Sequence, residues 1–208
     1  MSSVKNILKT CSRNVELDEF LAEELKGTGY GGCDVQTTPL GTRLTIYVTR
    51  PGLVIKRKGV GIRELQSKIE SRFGRVLKPP LQISVMEVEI PELNPRIMCD
   101  RIAHNMRRGV AFRRVVMWAL NAIMDAGAMG AEIIVSGKLR RDRSRTEKYR
   151  MGVMPKSGDP AEKAVREATT SVLLKMGVYG IKVRIALKDA VPPEFQLKEG
   201  ESVAEGQG

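Results

Sequence analysis

Hydrophobic and polar positions along this chain follow two periods, one helical and one of strict alternation. Leu17, Phe20, Leu21 and Leu25 recur at helical spacing and predict a short helix over 16–26. Gly27, Gly29, Gly31 and Gly32 break it into a turn-rich connector. Val35 to Thr37 reads as a short strand, and Pro39, Gly41 and Thr42 mark a turn. Leu44, Ile46 and Val48 then alternate with Thr45, Tyr47 and Thr49, the pattern of a half-buried strand. Pro51-Gly52 opens a new segment in which the apolar run Leu53-Val54-Ile55 leads into Lys56-Arg57-Lys58-Gly59. Ile62, Leu65, Ile69 and Phe73 form a single apolar stripe after that loop, stopped by Gly74, so a strand–loop–helix is expected. Leu81, Ile83 and Val85 begin a further strand.

Pro91-Glu92-Leu93-Asn94-Pro95 is the best candidate for a domain boundary. Its prolines favour an extended link, and Asn94-Pro95 supplies a helix cap and a first helical residue. The expected division is a first domain over 15–90, a linker over 91–95, a second domain over 96–188 and a disordered tail over 189–208, which is rich in Pro, Gly, Glu and Gln. In the second domain, residues 95–107 fit one helix. Phe112, Val115, Val116, Ala119, Ile123 and Ala126 fit another, ended by Gly127. Ala131 to Leu139 and Glu147 to Met154 read as the arms of a hairpin. Asp159-Pro160-Ala161-Glu162 has the signature of a helix start, and Val165, Ala168, Val172, Leu173 and Met176 predict that this helix runs to Gly177. Ile181, Val183, Ile185 and Leu187 alternate with Lys182, Arg184 and Lys188 as a strand with a basic outer edge.

Composition changes this picture mainly through charge. Residues 50–78 hold nine Lys or Arg against two acids, and residues 100–150 hold twelve against five, so each block carries +7 and the remainder −3 of a total of +11. Two dense basic blocks on structured segments attract polyanions by neutralising phosphates and releasing counterions. No apolar run approaches the ~18 residues of a membrane span, and residues 1–10 lack the apolar core of a secretory signal. Cys11, Cys33 and Cys99 are far apart, without Cys-x-x-Cys and with His104 as the only histidine. That argues against a zinc ribbon or a disulfide framework and for a reducing, intracellular setting; no metal and no cofactor are expected.

Three constellations carry chemistry. Lys56, Arg57, Lys58 and Gly59 form a basic loop before an amphipathic helix, where backbone N–H groups and side chains meet a phosphate, as in the Gly-x-x-Gly loop of KH domains. Arg107 and Arg108 end one helix while Arg113 and Arg114 open the next; arginine at a helix N-terminus opposes the dipole, which points to an anionic partner. Lys138, Arg140, Arg141, Arg143 and Arg145 crowd a hairpin tip beside Asp142, with Lys148 on its second arm, a composition suited to lying along an RNA backbone. Catalytic patterns are poor. Glu87 and Glu89 lack metal-ligating company, His104 has no Ser or Cys partner, and Gly29-Tyr30-Gly31-Gly32 lacks the dinucleotide spacing. No enzyme is expected. A free-standing KH-type RNA regulator is one reading of these constellations; a nucleic-acid lyase or nuclease lacks a visible nucleophile.

Several strings taken in order resemble one family. Arg50-Pro51-Gly52-Leu53-Val54-Ile55, Pro91-Glu92-Leu93-Asn94-Pro95, Phe112-Arg113-Arg114, Val135-Ser136-Gly137-Lys138-Leu139, Lys156-Ser157-Gly158-Asp159-Pro160 and Gly177-Val178-Tyr179-Gly180-Ile181-Lys182-Val183 are similar to the universal small-subunit ribosomal protein S three family, in its archaeal form. The resemblance covers about residues 15–188. It implies an α+β protein with a type II KH domain followed by a two-layer α/β domain. It also implies a cytoplasmic place on the head of the small subunit, with small-subunit ribosomal RNA, mRNA at the entry channel and neighbouring head proteins as partners, and no membrane. In the family, basic residues of the second domain line the entry channel and help unwind mRNA. Arg113 and Arg114 match two of those positions, while the third falls on Met117. The first glycine of the KH loop is replaced by Lys56, whose Cβ disfavours positive φ and close approach to a phosphate.

Overall fold

The computed structural model describes residues 3–38, 41–73, 80–139 and 143–188. The first half runs α1 (Ser3–Glu24), β1 (Tyr30–Thr38), β2 (Gly41–Val48), α2 (Pro51–Ile55), a 3-10 turn (Arg57–Gly59), α3 (Val60–Phe73) and β3 (Leu81–Glu87). β2 lies at the centre of this sheet, antiparallel to β1 and parallel to β3. Leu44, Ile46 and Val48 turn one way from β2 and are fully buried, as alternation requires. Against them pack Leu17, Phe20, Leu21 and Leu25 from α1 and its end, and Leu65, Ile69 and Phe73 from α3. The Phe20 and Phe73 rings meet edge to face at 5.8 Å, with the Arg72 guanidinium 5.1 Å over Phe20.

Three local expectations change here. α1 begins at Ser3, thirteen residues before the predicted start at 16. The glycine connector already contributes to a strand, since β1 starts at Tyr30 with an irregularity between Tyr30 and Gly32. Leu53-Val54-Ile55 is not a strand but the end of the five-residue helix α2, so the basic loop joins two helices. Pro51 stands at the first turn of α2, where its missing N–H costs nothing, and Val54 alone is buried. Gly74, Pro39 and Pro79 lie outside the described residues.

A 3-10 turn (Pro91–Leu93) leads to the second half: α4 (Pro95–Arg107), α5 (Phe112–Asp125), β4 (Gly130–Gly137), β5 (Arg145–Gly152), α6 (Asp159–Ala164), β6 (Val165–Leu174) and β7 (Gly177–Ala186). Asn94 caps α4 by accepting a hydrogen bond from the Arg96 N–H at 3.0 Å. The strands form an antiparallel sheet in the order β5-β4-β7-β6. α4 and α5 cover one face, where Ile102, Val116, Leu120 and Ile123 bury against Ala131, Ile133, Val135, Ile181, Val183 and Ile185.

The helix expected from 159 to 176 is the main correction. Only Asp159–Ala164 is helical, and Val165–Leu174 pairs residue by residue with β7, from Val165 opposite Ala186 to Leu174 opposite Gly177. A separation of four, as between Ala168 and Val172, fits both a helix and a strand. The positions unique to the helical stripe fail: Leu173 is 74% and Met176 60% exposed. β-branched Val165, Thr169, Thr170 and Val172 favour the extended form.

The halves have separate cores and are tied across their boundary by polar contacts. Asp18 of α1 accepts from the Tyr30 hydroxyl at 2.7 Å and pairs with Arg96 of α4 at 2.6 Å, and the Asn94 amide donates to the Gly31 carbonyl at 3.0 Å. Burial works to raise the Asp18 pKa, but hydrogen bonds from Arg96 and Tyr30 and the Arg96 charge outweigh it and hold the carboxyl below the usual range.

Candidate nucleic-acid interface

The basic residues fall into three places with different local chemistry. At the α2–α3 loop, Lys56 has φ 56° and ψ −177°, the one non-glycine with positive φ among the described residues. The backbone therefore keeps the conformation expected of glycine and accepts a strain of roughly 1–3 kcal/mol. Lys56 N–H donates to the Gly52 carbonyl at 3.1 Å and Lys56 Nζ pairs with Glu64 of α3 at 2.8 Å. The Lys56 hydrogen bond and charge hold the Glu64 carboxyl below its ordinary value. Gly59 has φ 71°, and Gly61 seats α3 against α2 so closely that a Cβ would lie 2.1 Å from the Val54 carbonyl oxygen. Arg57 is exposed beside them, and the Lys58 side chain lies outside the described set.

The second place is the corner between α4 and α5. Arg107 closes α4, where a cation suits the helix dipole. Arg108 follows, and Gly109, at φ 84°, turns the chain. α5 starts at Phe112 with Ala111 as its cap residue and no capping side chain, so its first N–H groups face outward with Arg113 and Arg114 in the same turn. Arg113 lies 5.9 Å over the Phe112 ring and its Nε is 3.4 Å from Glu147 of β5. Glu147 also accepts from the Tyr149 hydroxyl at 2.5 Å. That hydrogen bond, with the Arg113 charge and hydrogen bond, keeps Glu147 below its ordinary pKa against the opposing effect of burial. The Arg108 and Arg114 side chains have no hydrogen bond or ion pair among the described residues, while the Arg108 N–H donates to the His104 carbonyl at 3.1 Å.

The third place is the β4–β5 hairpin, which the Arg113–Glu147 contact links to the corner. Lys138, Arg143 and Arg145 are described; Arg140 and Arg141 lie outside the described residues. The Tyr179 hydroxyl donates to the Lys138 carbonyl and fixes the end of β4. Lys148 has a different partner from the one its charge suggests. Its Nζ is 2.5 Å from Oε1 of Glu132, a carboxylate only 1% exposed on the central strand β4. Two residues missed in the sequence thus shape the site: Glu132, which occupies Lys148, and Trp118, which lies off the apolar stripe of α5 and is 46% exposed. The stripe itself, which omits Trp118, was the available signal for the second. The described residues contain no cluster of three metal-ligating side chains, and no described helix is long and apolar enough to cross a membrane.

Two family models match the chain: "KH domain" over residues 16–93 and "Ribosomal protein S3, C-terminal domain" over residues 102–185. The chain is 46% identical over 182 residues to the small ribosomal subunit protein uS3 of Methanothermobacter thermautotrophicus, covering 88% of this chain and 69% of the relative. It is 44% identical over 199 residues to the uS3 of Thermofilum pendens, covering 96% of each, and 44% identical over 201 residues to that of Methanobrevibacter smithii, covering 93% and 79%. The class is therefore that of KH-domain ribosomal proteins, with the helix-first order α-β-β-α-α-β of a type II KH domain ahead of a two-layer α/β domain. Within that class the chain belongs to the family of small ribosomal subunit protein uS3, whose role is structural and not enzymatic.

Proposed function

We propose that this chain binds small-subunit ribosomal RNA in the head of the small subunit and helps to form the mRNA entry channel, beside neighbouring head proteins and in the cytoplasm. The division of labour follows the proposed domains, a KH domain over 15–90 and an RNA-binding α/β domain over 96–188. The observation that carries the reading is the uncapped start of α5 with Arg107, Arg108, Arg113 and Arg114 around it. Uncapped N–H groups and guanidinium groups at one helix N-terminus make a place for phosphate, and the Arg108 and Arg114 side chains, unpaired among the described residues, give up no contact with those residues by binding one. Arg143, Arg145 and Lys138 extend the same charge along the hairpin.

Sedimentation of the native protein in a gentle lysate tests this. Stoichiometric comigration with small subunits and translating ribosomes, lost on RNase treatment, is expected. A profile confined to the top of the gradient would overturn the assignment. Crosslinking to mRNA on purified small subunits tests the channel role: loss of crosslinks in Arg113→Ala/Arg114→Ala with normal subunit assembly is expected. Equal loss of crosslinks and assembly would contradict it.

A further inference from the structure

We propose that Trp118 is a stacking platform for the bases of single-stranded RNA, set at the edge of the arginine corner. The inference rests on the reading that this corner meets RNA and adds what the ring does there. α5 satisfies its core with Val115, Val116, Ala119, Leu120 and Ile123, each at most 2% exposed. Trp118 and Met117 are not needed for that packing and stand 46% and 44% exposed. Trp118 is the sole tryptophan of 208 residues, and apart from Tyr47 every other described aromatic ring is buried or half-buried.

Its surroundings select the ligand. Arg114 lies one helical turn earlier on the same face of α5, exposed and without a carboxylate partner among the described residues. Arg107, His104 and Asn105 of α4 border the same cleft as Trp118, which Asp100 and Glu167 also line, so the charge beside the ring that has no acid opposite it is that of Arg114. An open indole one turn from the Arg114 guanidinium offers a π face for a base and charge for its phosphate, the two components of single-strand recognition. In a duplex the base faces are already stacked on one another, so the ring adds affinity only for unpaired strands. Position 117, where the family resemblance implies a cation, holds instead a flexible, exposed thioether. At this turn the helix offers apolar contact in place of a third charge. The exposed apolar groups elsewhere differ: Leu173, Met176 and Val178 at the β6–β7 turn include no aromatic ring.

Because Trp118 is the only tryptophan, its fluorescence reports the site directly in the full-length chain. We would titrate the protein with a 12-nucleotide oligouridine and with a matched RNA duplex, following tryptophan emission and, in parallel, the anisotropy of labelled RNA. Quenching by the single strand and little quenching by the duplex are expected. Trp118→Ala should weaken single-strand binding roughly tenfold, with the salt slope unchanged, and Trp118→Phe should recover most of the loss. Circular dichroism confirms that each variant is folded, which the exposed position favours. Salt-dependent anisotropy with unchanged emission, or quenching without any affinity loss in Trp118→Ala, would overturn the stacking role and leave an arginine-only interface. Unchanged RNA binding with weakened uptake of Trp118→Ala into small subunits would assign the ring to a protein contact and overturn it too. No anisotropy change with either RNA would sink the RNA-binding reading itself, and the platform with it.

Discussion

The two basic stretches of this chain carry the same +7 in sequence and fold into different electrostatic situations. In the first, the loop between α2 and α3, Lys56 is held by Glu64 and its backbone takes a conformation suited to glycine. In the second, the corner between α4 and α5, the Arg108 and Arg114 side chains have no partner among the described residues and the helix start beneath them is uncapped. Net charge is equal in both, but charge available to a phosphate is not. Availability depends on which carboxylate the fold brings beside each cation, and those carboxylates come from another element: Glu64 from α3, Glu147 from β5, Glu132 from β4.

The largest effect expected from breaking this comparison comes from a cation that sequence counts as part of the interface. Lys148→Ala removes the cation in contact with the buried Glu132 carboxylate, and removing one partner of such a pair is destabilising by about 2–3 kcal/mol once the half-exposed lysine is allowed for. Urea unfolding checks the loss. The double variant Lys148→Met/Glu132→Leu should recover most of it. A single variant as stable as the parent would return Lys148 to the pool of free cations.

Next in size is the strain at Lys56. Lys56→Gly removes the Cβ from a backbone at positive φ, and the gain should be about 1–2 kcal/mol despite the loss of the exposed pair with Glu64. A raised thermal midpoint is the readout. An unchanged or lower midpoint would mean that the loop relaxes and that Lys56 carries no strain. The same variant restores the glycine of a KH loop, so it should also tighten single-strand binding at that loop. Unchanged or weaker oligonucleotide affinity would end that part of the idea.

A smaller effect separates the regions by salt dependence. Arg114→Ala should lower the slope of log affinity for RNA against log salt by about one unit, as a lost phosphate contact does. Lys56→Ala should change it by less, since its ammonium already has a carboxylate. Equal slopes for both variants would erase the distinction between the loop and the corner.

Much of the fold was legible because most elements have one buried face. α3, α4, α5, β2 and β7 follow from a single period each, and caps such as Asn94 mark their starts. β6 was not legible because the interval from Ala168 to Val172 belongs to both periods; only pairing with β7 decides it. α2 is five residues long, shorter than any window in which a period can be recognised, and its one sign was Pro51. The cations of the site were legible as residue types. Their freedom was not, because Glu132 meets Lys148 across the β4–β5 ladder and Glu147 meets Arg113 between strand and helix. Trp118 was visible only as an absence from the buried stripe.

The smallest expected effect concerns the contact that sets the corner relative to the KH half. Asp18 is buried enough to favour its neutral form, but hydrogen bonds from Arg96 and Tyr30 and the charge of Arg96 prevail and its pKa is lowered from 3.8. A carboxyl whose folded pKa is depressed stabilises the fold above its unfolded pKa and loses that contribution as pH falls through the folded value. The ion pair should therefore act in full above about pH 5 and fade below about pH 4. Arg96 is 45% exposed, so solvent screens the pair and its worth is about 1 kcal/mol or less. Asp18→Asn keeps the shape and removes the charge. The stability difference between parent and variant, measured by urea unfolding from pH 2.5 to pH 6, should be largest at the upper end and shrink towards the lower. A difference that grows in acid would reverse the sign, make burial the stronger influence on Asp18, and remove the Asp18–Arg96 pair from the polar ties between α4 and the KH half.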